Sequence, residues 1–305
     1  MRFTVLLAAG AMLAVASPAS AFVRMTTSSQ TPVEWRSTCL QFHLDARSNP
    51  DFDDDRLRRA LGGALASWTS AAASCPNKFH VDLVAGQPSD SVVARDGKSM
   101  IIWRRGDFCH DAHNAHDELC LAPNVAATTT VFFRDKPGDP GDGEILEADM
   151  EINAITFSFD DQGDAEKVDL PSVLAHEIGH AVGLDHTCVT STGAVAPIDS
   201  EGNPVPSCFP LGALPEGVRA ATMFTFLDPG DTSKRAPGKD EASAVCSIYA
   251  SASGACAAND PKSCGCRFVG ADAESTALIV AGVVPIVLVL RARQRANSAS
   301  RRRTS

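Results

Sequence analysis

Patterns that would place this 305-residue chain in several common protein classes are missing from it. No two of its ten cysteines stand in CxxC spacing, so a thiolate metal site is not indicated and disulfides are. Positive charge is scarce, because 27 lysines and arginines face 37 aspartates and glutamates, a formal net charge of −10. That balance argues against a general nucleic-acid-binding protein. Aromatic residues are few, at 6%, but 44% hydrophobic residues are ordinary for a globular protein.

The cysteine content and the N-terminus together predict export. Ten cysteines are many for a cytosolic enzyme of this size, and disulfides need an oxidising compartment. Arg2 precedes an apolar run over residues 5–16, and an A-x-A cleavage site ends at Ala21. We therefore predict a signal peptide over residues 1–21 and a mature chain that is secreted or held at the cell surface or outer membrane. A retained anchor is disfavoured, because the run is short and ends in the cleavage site.

One stretch, LAHEIGHAVGLDHT at residues 174–187, carries a metal-binding pattern. On a helix, His176 and His180 lie on one face about a turn apart, so both imidazoles can bind the same ion. Gly183 predicts a sharp turn at the end of the helix, since glycine adopts the left-handed conformation readily. The turn brings His186 back as a third ligand. Three imidazoles leave the fourth tetrahedral position open for water, as a catalytic zinc site requires.

Glu177 follows the first histidine and can reach a water on the metal without being a ligand itself. A helix with ordinary surface histidines is the alternative, but the glycine and third histidine at fixed offsets disfavour it. A purely structural zinc site is disfavoured as well, because such sites are normally closed by four protein ligands. The pattern predicts one catalytic zinc ion with Glu177 as general base and acid.

The motif HEIGHAVGLDH resembles the zinc-binding consensus of the metzincin metallopeptidases and, among them, of the matrixins (matrix-metalloproteinase-type, or M10, catalytic domains). The resemblance extends over residues 32–250. It implies an α+β fold in which a twisted, mixed, mostly parallel five-stranded sheet packs on an active-site helix and a C-terminal helix. It also implies a methionine turn under the zinc, and Met223 is the only methionine after the motif. No tyrosine follows Met223 within that turn, so the additional ligand of astacins is missing.

The same resemblance implies the surroundings of a substrate cleft. The strand over residues 128–133 becomes the sheet edge to which an extended peptide can add. Residues 224–237 become the wall of the pocket for the substrate residue after the scissile bond. A PRCGxPD-like segment, with which matrixins often block their zinc before activation, does not occur in the sequence.

Further metal sites are weaker predictions. The loop over residues 104–124 contains CHDAHNAHDELC, and the corresponding matrixin loop can carry a structural zinc and calcium. The family's partner histidine is missing from the strand TTTVFF, so a solvated, disulfide-closed loop is favoured instead. Calcium on acidic residues farther along is likewise less favoured than a solvated strand face. The candidates are His110, His113 and His116 for zinc, and Asp149, Glu151, Asp160 and Asp161 for calcium.

Periodicity predicts the remaining elements. Apolar residues at helical spacing indicate helices over residues 51–73 and 239–250. Asp169 is the expected N-cap of the active-site helix, with Pro171 just inside it. Alternating or β-branched runs indicate strands over residues 39–44, 79–84, 99–103, 128–133 and 147–153, the last with one solvated face. Connectivity does not follow from sequence, but plausible disulfides are Cys39–Cys75, Cys109–Cys120 and Cys188–Cys208.

The C-terminal part changes character after residue 250. A linker-like composition leads to fourteen consecutive apolar residues at 277–290, followed by arginines at 291–303. Fourteen residues are short for a spanning helix, which needs about 20. The layout resembles a myxobacterial-type C-terminal sorting tail, in which Cys264 or Cys266 would be processed or lipid-modified. A permanent single-span anchor with cytoplasmic arginines is the alternative, and a terminal helix packed on the domain is the least favoured.

These patterns predict a zinc-dependent endopeptidase that acts on proteins or peptides, contacts a membrane through its tail before processing, and binds no nucleic acid. The alternative is a surface adhesion or binding protein that keeps zinc without turnover, which Glu177 disfavours because such a module needs no base. A hydrolase of non-peptide bonds is a weaker option. The expected segments are a signal peptide (1–21), a short N-terminal segment (22–31), the metallopeptidase domain (32–250), a linker (251–276) and the tail (277–305).

Overall fold

Along the chain, most strands lie between two long helices in this computed structural model. It describes residues 22–37, 39–45, 52–75, 80–85, 92–106, 109–110, 119–120, 122–191, 197–249 and 281–287. The strands are β1 (Val23–Arg24), β2 (Cys39–Leu44), β3 (His80–Ala85), β4 (Ser99–Arg104), β5 (Cys109–His110), β6 (Leu119–Cys120), β7 (Val125–Phe133), β8 (Ile145–Asn153), β9 (Phe159–Asp160), β10 (Val168–Asp169), β11 (Leu184–Asp185) and β12 (Ala281–Val287). The helices are α1 (Asp54–Ala71), α2 (Leu170–Ala181), α3 (Glu216–Ala220) and α4 (Lys239–Ile248), and short 3-10 turns cover Ala72–Ser74 and Leu211–Ala213.

The main sheet has the strand order β12-β7-β8-β4-β2-β3. The strands from β8 through β4 and β2 to the edge strand β3 are parallel, whereas β7 pairs antiparallel with β8. Helix α1 contacts α2 and β3, and α2 contacts β7 and β8. The α+β class with a mixed, mostly parallel sheet is therefore confirmed. The five expected strands are all present, and β12 adds a sixth.

β12 changes the edge of the sheet. The sequence predicts β7 as the free edge, but β12 pairs antiparallel with it, so that Val284 lies opposite Thr129 and Pro285 opposite Thr128. The prediction of a free edge is therefore wrong, because part of the apolar tail supplies the backbone groups that an edge strand lacks. Within the described residues, no helix is long and apolar enough to cross a bilayer. The predicted processing residues Cys264 and Cys266 and the arginine block lie outside the described residues.

Helix α1 forms one wall of the core. Asp53 caps it by accepting a hydrogen bond from the backbone N–H of Arg56 at 2.7 Å. Trp68 is fully buried, and its indole Nε1 donates to the carbonyl of Ala175 on α2 at 2.8 Å. The predicted helix is confirmed, and this hydrogen bond ties α1 to the helix that carries the metal-binding motif.

The acidic face of β8 is buried. Glu147 and Asp149 are 1% and 0% exposed, because residues 92–100 cover this side of the strand. Glu147 Oε2 accepts from the backbone N–H of Gly97 at 2.6 Å, and Asp149 Oδ1 accepts from that of Met100 at 2.8 Å. Burial raises the pKa of Glu147 to about 7 and that of Asp149 to about 8. The predicted solvated face is therefore wrong.

The other candidate calcium ligands are bound by arginines. Glu151 Oε1 accepts from Arg104 Nε at 2.5 Å, also on the buried side of β8. Arg56 donates to Asp160 Oδ1 at 2.7 Å and through Nε to Asp161 Oδ1 at 2.8 Å. Since the protein itself supplies donors to these carboxylates, the contacts give no support to a calcium ion among them.

Two disulfides lie within the described residues. Cys75 pairs with Cys246 on α4, with a Cα–Cα distance of 4.9 Å, so the predicted Cys39–Cys75 pair is wrong. The reason is topological: the 3-10 turn after α1 packs against α4, a contact between residues 171 positions apart. The predicted Cys188–Cys208 pair is confirmed. For the predicted Cys109–Cys120 pair, the two backbones lie opposite each other in β5 and β6, and the side chains lie outside the described part.

Candidate metal centre

Helix α2 holds the motif rigidly because it is surrounded by protein. Asp169 is its N-cap and accepts from the backbone N–H of Ser172 at 3.0 Å, with Pro171 in the first turn, as predicted. All residues of α2 apart from Pro171 are buried. A helix that is buried on all sides leaves its side chains little rotational freedom, so the spacing of the motif fixes the relative positions of its side chains.

The turn after α2 requires glycine. Gly183 has φ +94°, and a Cβ there would lie 2.6 Å from the carbonyl oxygen of Val33. Beyond it, β11 pairs with β1, which fixes the direction of the chain toward His186. Asp185 Oδ1 accepts from the backbone N–H of His186 at 2.7 Å. Residues 22–31, expected as a segment ahead of the domain, thus include a strand that helps to place the third histidine.

The three histidines converge. The Nε2 atoms of His176 and His180 lie 3.0 Å apart, and that of His186 lies 3.2 Å from each. The Nδ1 atoms of His176 and His180 lie 2.7 and 2.8 Å from the carbonyl oxygens of Thr222 and Leu184, so these Nδ1 atoms carry the protons and direct the Nε2 lone pairs at one point. Ligands 2.0–2.1 Å from a tetrahedral zinc lie roughly 3.3 Å apart, so the arrangement fits zinc.

The environment keeps these imidazoles neutral, which is the form that binds metal. Burial lowers the pKa of all three, to about 4 for His180. The neighbouring histidines lower the pKa of His176 and His186 further, since protonation of one opposes protonation of the next. His176 and His180 are buried, whereas His186 is half-buried and leaves the centre accessible from solvent.

Glu177 is fully buried and only half satisfied. Its Oε2 accepts from Thr129 Oγ1 at 2.5 Å, whereas Oε1 has no hydrogen-bond partner within the described residues. Burial raises the pKa of this carboxyl to about 8, and the Thr129 hydrogen bond opposes that rise. A divalent cation close by would favour the ionised form. The sequence analysis did not identify Thr129 as a partner of Glu177. The only signal in the sequence was its position in the strand TTTVFF.

Met223 packs beneath the motif. A Cβ at Gly179 would lie 2.1 Å from Met223 Sδ, so the thioether fills the space left by this glycine of α2. The Met223 carbonyl accepts from the backbone N–H of Thr187 at 3.1 Å, and its own N–H donates to Glu241 Oε1 at 3.2 Å. Glu241 was missed in the sequence. As the third residue of α4, Glu241 also accepts from the backbone N–H of the N-cap residue Gly238 at 2.9 Å, and a glutamate at this helix position was the signal in the sequence.

The family model Matrixin matches residues 113–198. This interval contains β7, β8, α2 and all three converging histidines. The match and the histidine cluster support a zinc metallopeptidase of the matrixin type. The mixed sheet with its helices is consistent with the metzincin fold that the motif predicts. A search of curated proteins found no significant match.

The remaining predicted site residues are placed less completely. Within the described part of the chain, His176, His180 and His186 form the cluster that could hold a metal. His113 and His116 lie outside that part, and His110 is described only by its backbone in β5, so a second zinc stays a prediction. Five residues of the expected pocket wall do line a cavity of about 260 Å³: Phe224, Phe226, Asp228, Asp231 and Lys234.

Proposed function

We propose that this protein is an exported zinc endopeptidase that hydrolyses peptide bonds in proteins or peptides. The observation that carries the proposal is the buried Oε1 atom of Glu177, which lacks a protein partner in the described residues beside three converging Nε2 atoms. A buried acceptor without a partner is costly unless a ligand or water uses it. The two described disulfides fit an oxidising compartment and so support export by the signal peptide over residues 1–21.

The chemistry divides between the ion and the chain. Held by His176, His180 and His186, zinc would activate a water molecule and polarise the scissile carbonyl. Glu177 accepts a proton from the attacking water as the C–O bond forms, and donates it to the leaving nitrogen as the C–N bond breaks. Thr129 fixes one carboxylate oxygen, so the other is presented for this transfer. Met223 supports the helix from below and acts through position only.

Cleavage of casein by the zinc-loaded full-length protein tests the proposal. We expect cleavage that a chelator abolishes and that zinc restores. Glu177→Gln should keep zinc and lower the rate by about 10²- to 10⁴-fold, the usual contribution of a general base. Glu166→Gln is the matched control, because Glu166 is exposed on a loop. Cleavage by Glu177→Gln at the native rate would overturn the mechanism, and zinc binding without cleavage by any form would favour the non-catalytic binding protein.

A further inference from the structure

The 260 Å³ cavity is lined by residues on both sides of the segment 221–223, which contacts the metal-binding motif. Lys234, at its base, donates through Nζ to the carbonyl of Ala221 at 2.6 Å. The carbonyl of the next residue, Thr222, lies 2.7 Å from His176 Nδ1. One peptide unit therefore separates the base of the cavity from a residue bound to the first histidine. A side chain next to the bond being cleaved could enter a cavity at this distance.

Part of the cavity wall is apolar, beside the charged residues that also line it. Phe224 and Phe226 meet edge to face with ring centroids 5.5 Å apart. Leu211 and Gly212, from the loop that follows the Cys188–Cys208 disulfide, line another side. Such walls accommodate the methylene stem of a substrate side chain and exclude water from what lies beneath it.

The base of the cavity is cationic. Lys234 is only 4% exposed, and its Nζ donates to the carbonyls of Arg219 and Ala221 at 2.8 and 2.6 Å. An ammonium group has three N–H donors, so these two carbonyls leave one for the cavity. The Nζ also lies 5.1 Å from the ring centroid of Phe224. The two carbonyls hold the charge in place, so it is available to a ligand without reorganisation.

Other charges around the cavity do not cancel this one. Arg219 and Asp228 are exposed and of opposite sign, so solvent screens both. Asp231, half-buried, and Glu241 favour the charged form of Lys234, yet burial still lowers the pKa of Lys234 to about 8. Desolvation therefore outweighs the two carboxylates, and the buried cation is incompletely compensated.

The matrixin resemblance implies that this cavity receives the substrate side chain on the C-terminal side of the scissile bond, and we propose that Lys234 makes it select an acidic residue, glutamate in particular. The aromatic walls hold the methylene stem, and the ammonium group binds the carboxylate by a charge-assisted hydrogen bond. The inference rests on the proposed peptidase function. It makes Lys234 a residue that determines specificity, in addition to its contacts with the backbone carbonyls.

The test uses zinc-loaded full-length protein and peptides that differ only in the residue after the scissile bond: Glu, Gln, Leu or Lys. We expect kcat/KM for the Glu peptide to exceed that for the isosteric Gln peptide roughly ten- to hundredfold, as expected for a hydrogen bond between charged groups. Lys234→Met should abolish the Glu-over-Gln preference while the Leu peptide is still cleaved. Lys234→Arg should retain the Glu-over-Gln preference, because it keeps the positive charge. Lys136→Met is the control, because this lysine lies in the loop between β7 and β8.

The outcomes separate the two proposals. If no peptide is cleaved by the native protein, the peptidase function itself fails. If the native protein cleaves the Leu or Gln peptide with the same kcat/KM as the Glu peptide, only the specificity inference fails. It also fails if Lys234→Met keeps the preference for the Glu peptide. Should Lys234→Met not fold, the native Glu-to-Gln ratio and the Lys234→Arg variant decide the matter. A ratio near unity in the native protein overturns the inference without any variant.

Discussion

The metal centre and the acidic face of β8 are both buried clusters of ionisable groups, but they differ in how their polar atoms are satisfied. On β8, Glu147 and Asp149 accept hydrogen bonds from the backbone N–H groups of residues 94–100. At the metal centre, three Nε2 atoms face one another, and Glu177 Oε1 has no partner within the described residues. Satisfied buried groups stabilise a fold, whereas an unsatisfied carboxylate oxygen beside convergent ligand atoms is explained by a bound ion or water. The contrast supports a structural role for the acidic residues of β8 and the proposed catalytic role for Glu177 of α2.

The largest expected effect comes from removing a histidine. His180→Ala should lower zinc affinity by more than about 100-fold, since even partners of metal ligands contribute 10- to 100-fold, and cleavage should fall to background. Zinc should raise the Tm of the native protein and leave that of the variant unchanged. Metal analysis and thermal denaturation are the measurements. If His180→Ala binds zinc as tightly as the native protein, His180 is not a zinc ligand.

A change on β8 should instead affect stability. Asp149→Ala leaves the backbone N–H groups of Ala94 and Met100 without their acceptor, which costs about 1–3 kcal/mol for each group. Denaturant unfolding should show the loss, while zinc content and the rate per folded molecule stay unchanged. Asp149→Asn keeps one acceptor oxygen and should lose less. If Asp149→Ala retained full stability but lost zinc, the division between the two regions would be contradicted.

The smallest expected effect is on how the free energy of unfolding depends on pH. Protonation of buried carboxyl groups in the two regions causes it. Glu147, Asp149 and, without zinc, Glu177 have folded-state pKa values of about 7, 8 and 8, above the ordinary carboxyl value of about 4. The folded protein therefore holds protons that the unfolded chain releases. This contribution to stability is present at low pH and is lost as pH rises toward about 8.

Zinc should remove only part of this pH dependence. A cation beside Glu177 favours its ionised form, so zinc should reduce the fall in stability between about pH 4 and 8. Asp149→Asn should reduce it independently of zinc. Denaturant unfolding of both proteins, with zinc and with chelator, measures the four slopes. Equal slopes in all four conditions would show that neither carboxyl carries a raised pKa in solution.

The sequence predicted the convergence of the three histidines because its geometry is local. Histidines four residues apart on a helix share a face, and a glycine at a helix end reverses the chain, whatever surrounds them. Asp169 and Pro171 likewise act within one turn of α2. The same local logic located α1 and most of the main strands to within a few residues.

Contacts between distant segments were not predictable in this way. Alternation on β8 showed which side chains share a face, but it did not show that residues 92–100 cover that face. The pairing of β12 with β7 and the choice of Cys246 as the partner of Cys75 depend on how separate elements pack. Thr129 belongs to this group too, since it reaches Glu177 across 48 positions of sequence.

By itself, the sequence determined the α+β class and the histidine cluster and indicated which residue to propose as general base, because these follow from spacing along one helix and from residue chemistry. Only the tertiary structure decided that the β8 acids are buried, that Thr129 contacts Glu177, and that a buried Lys234 lines the cavity next to the segment that contacts His176. The physical reason is that burial, hydrogen-bond satisfaction and local charge are properties of packed neighbours. A neighbour far away in the chain leaves no periodic signal near the residue that it contacts.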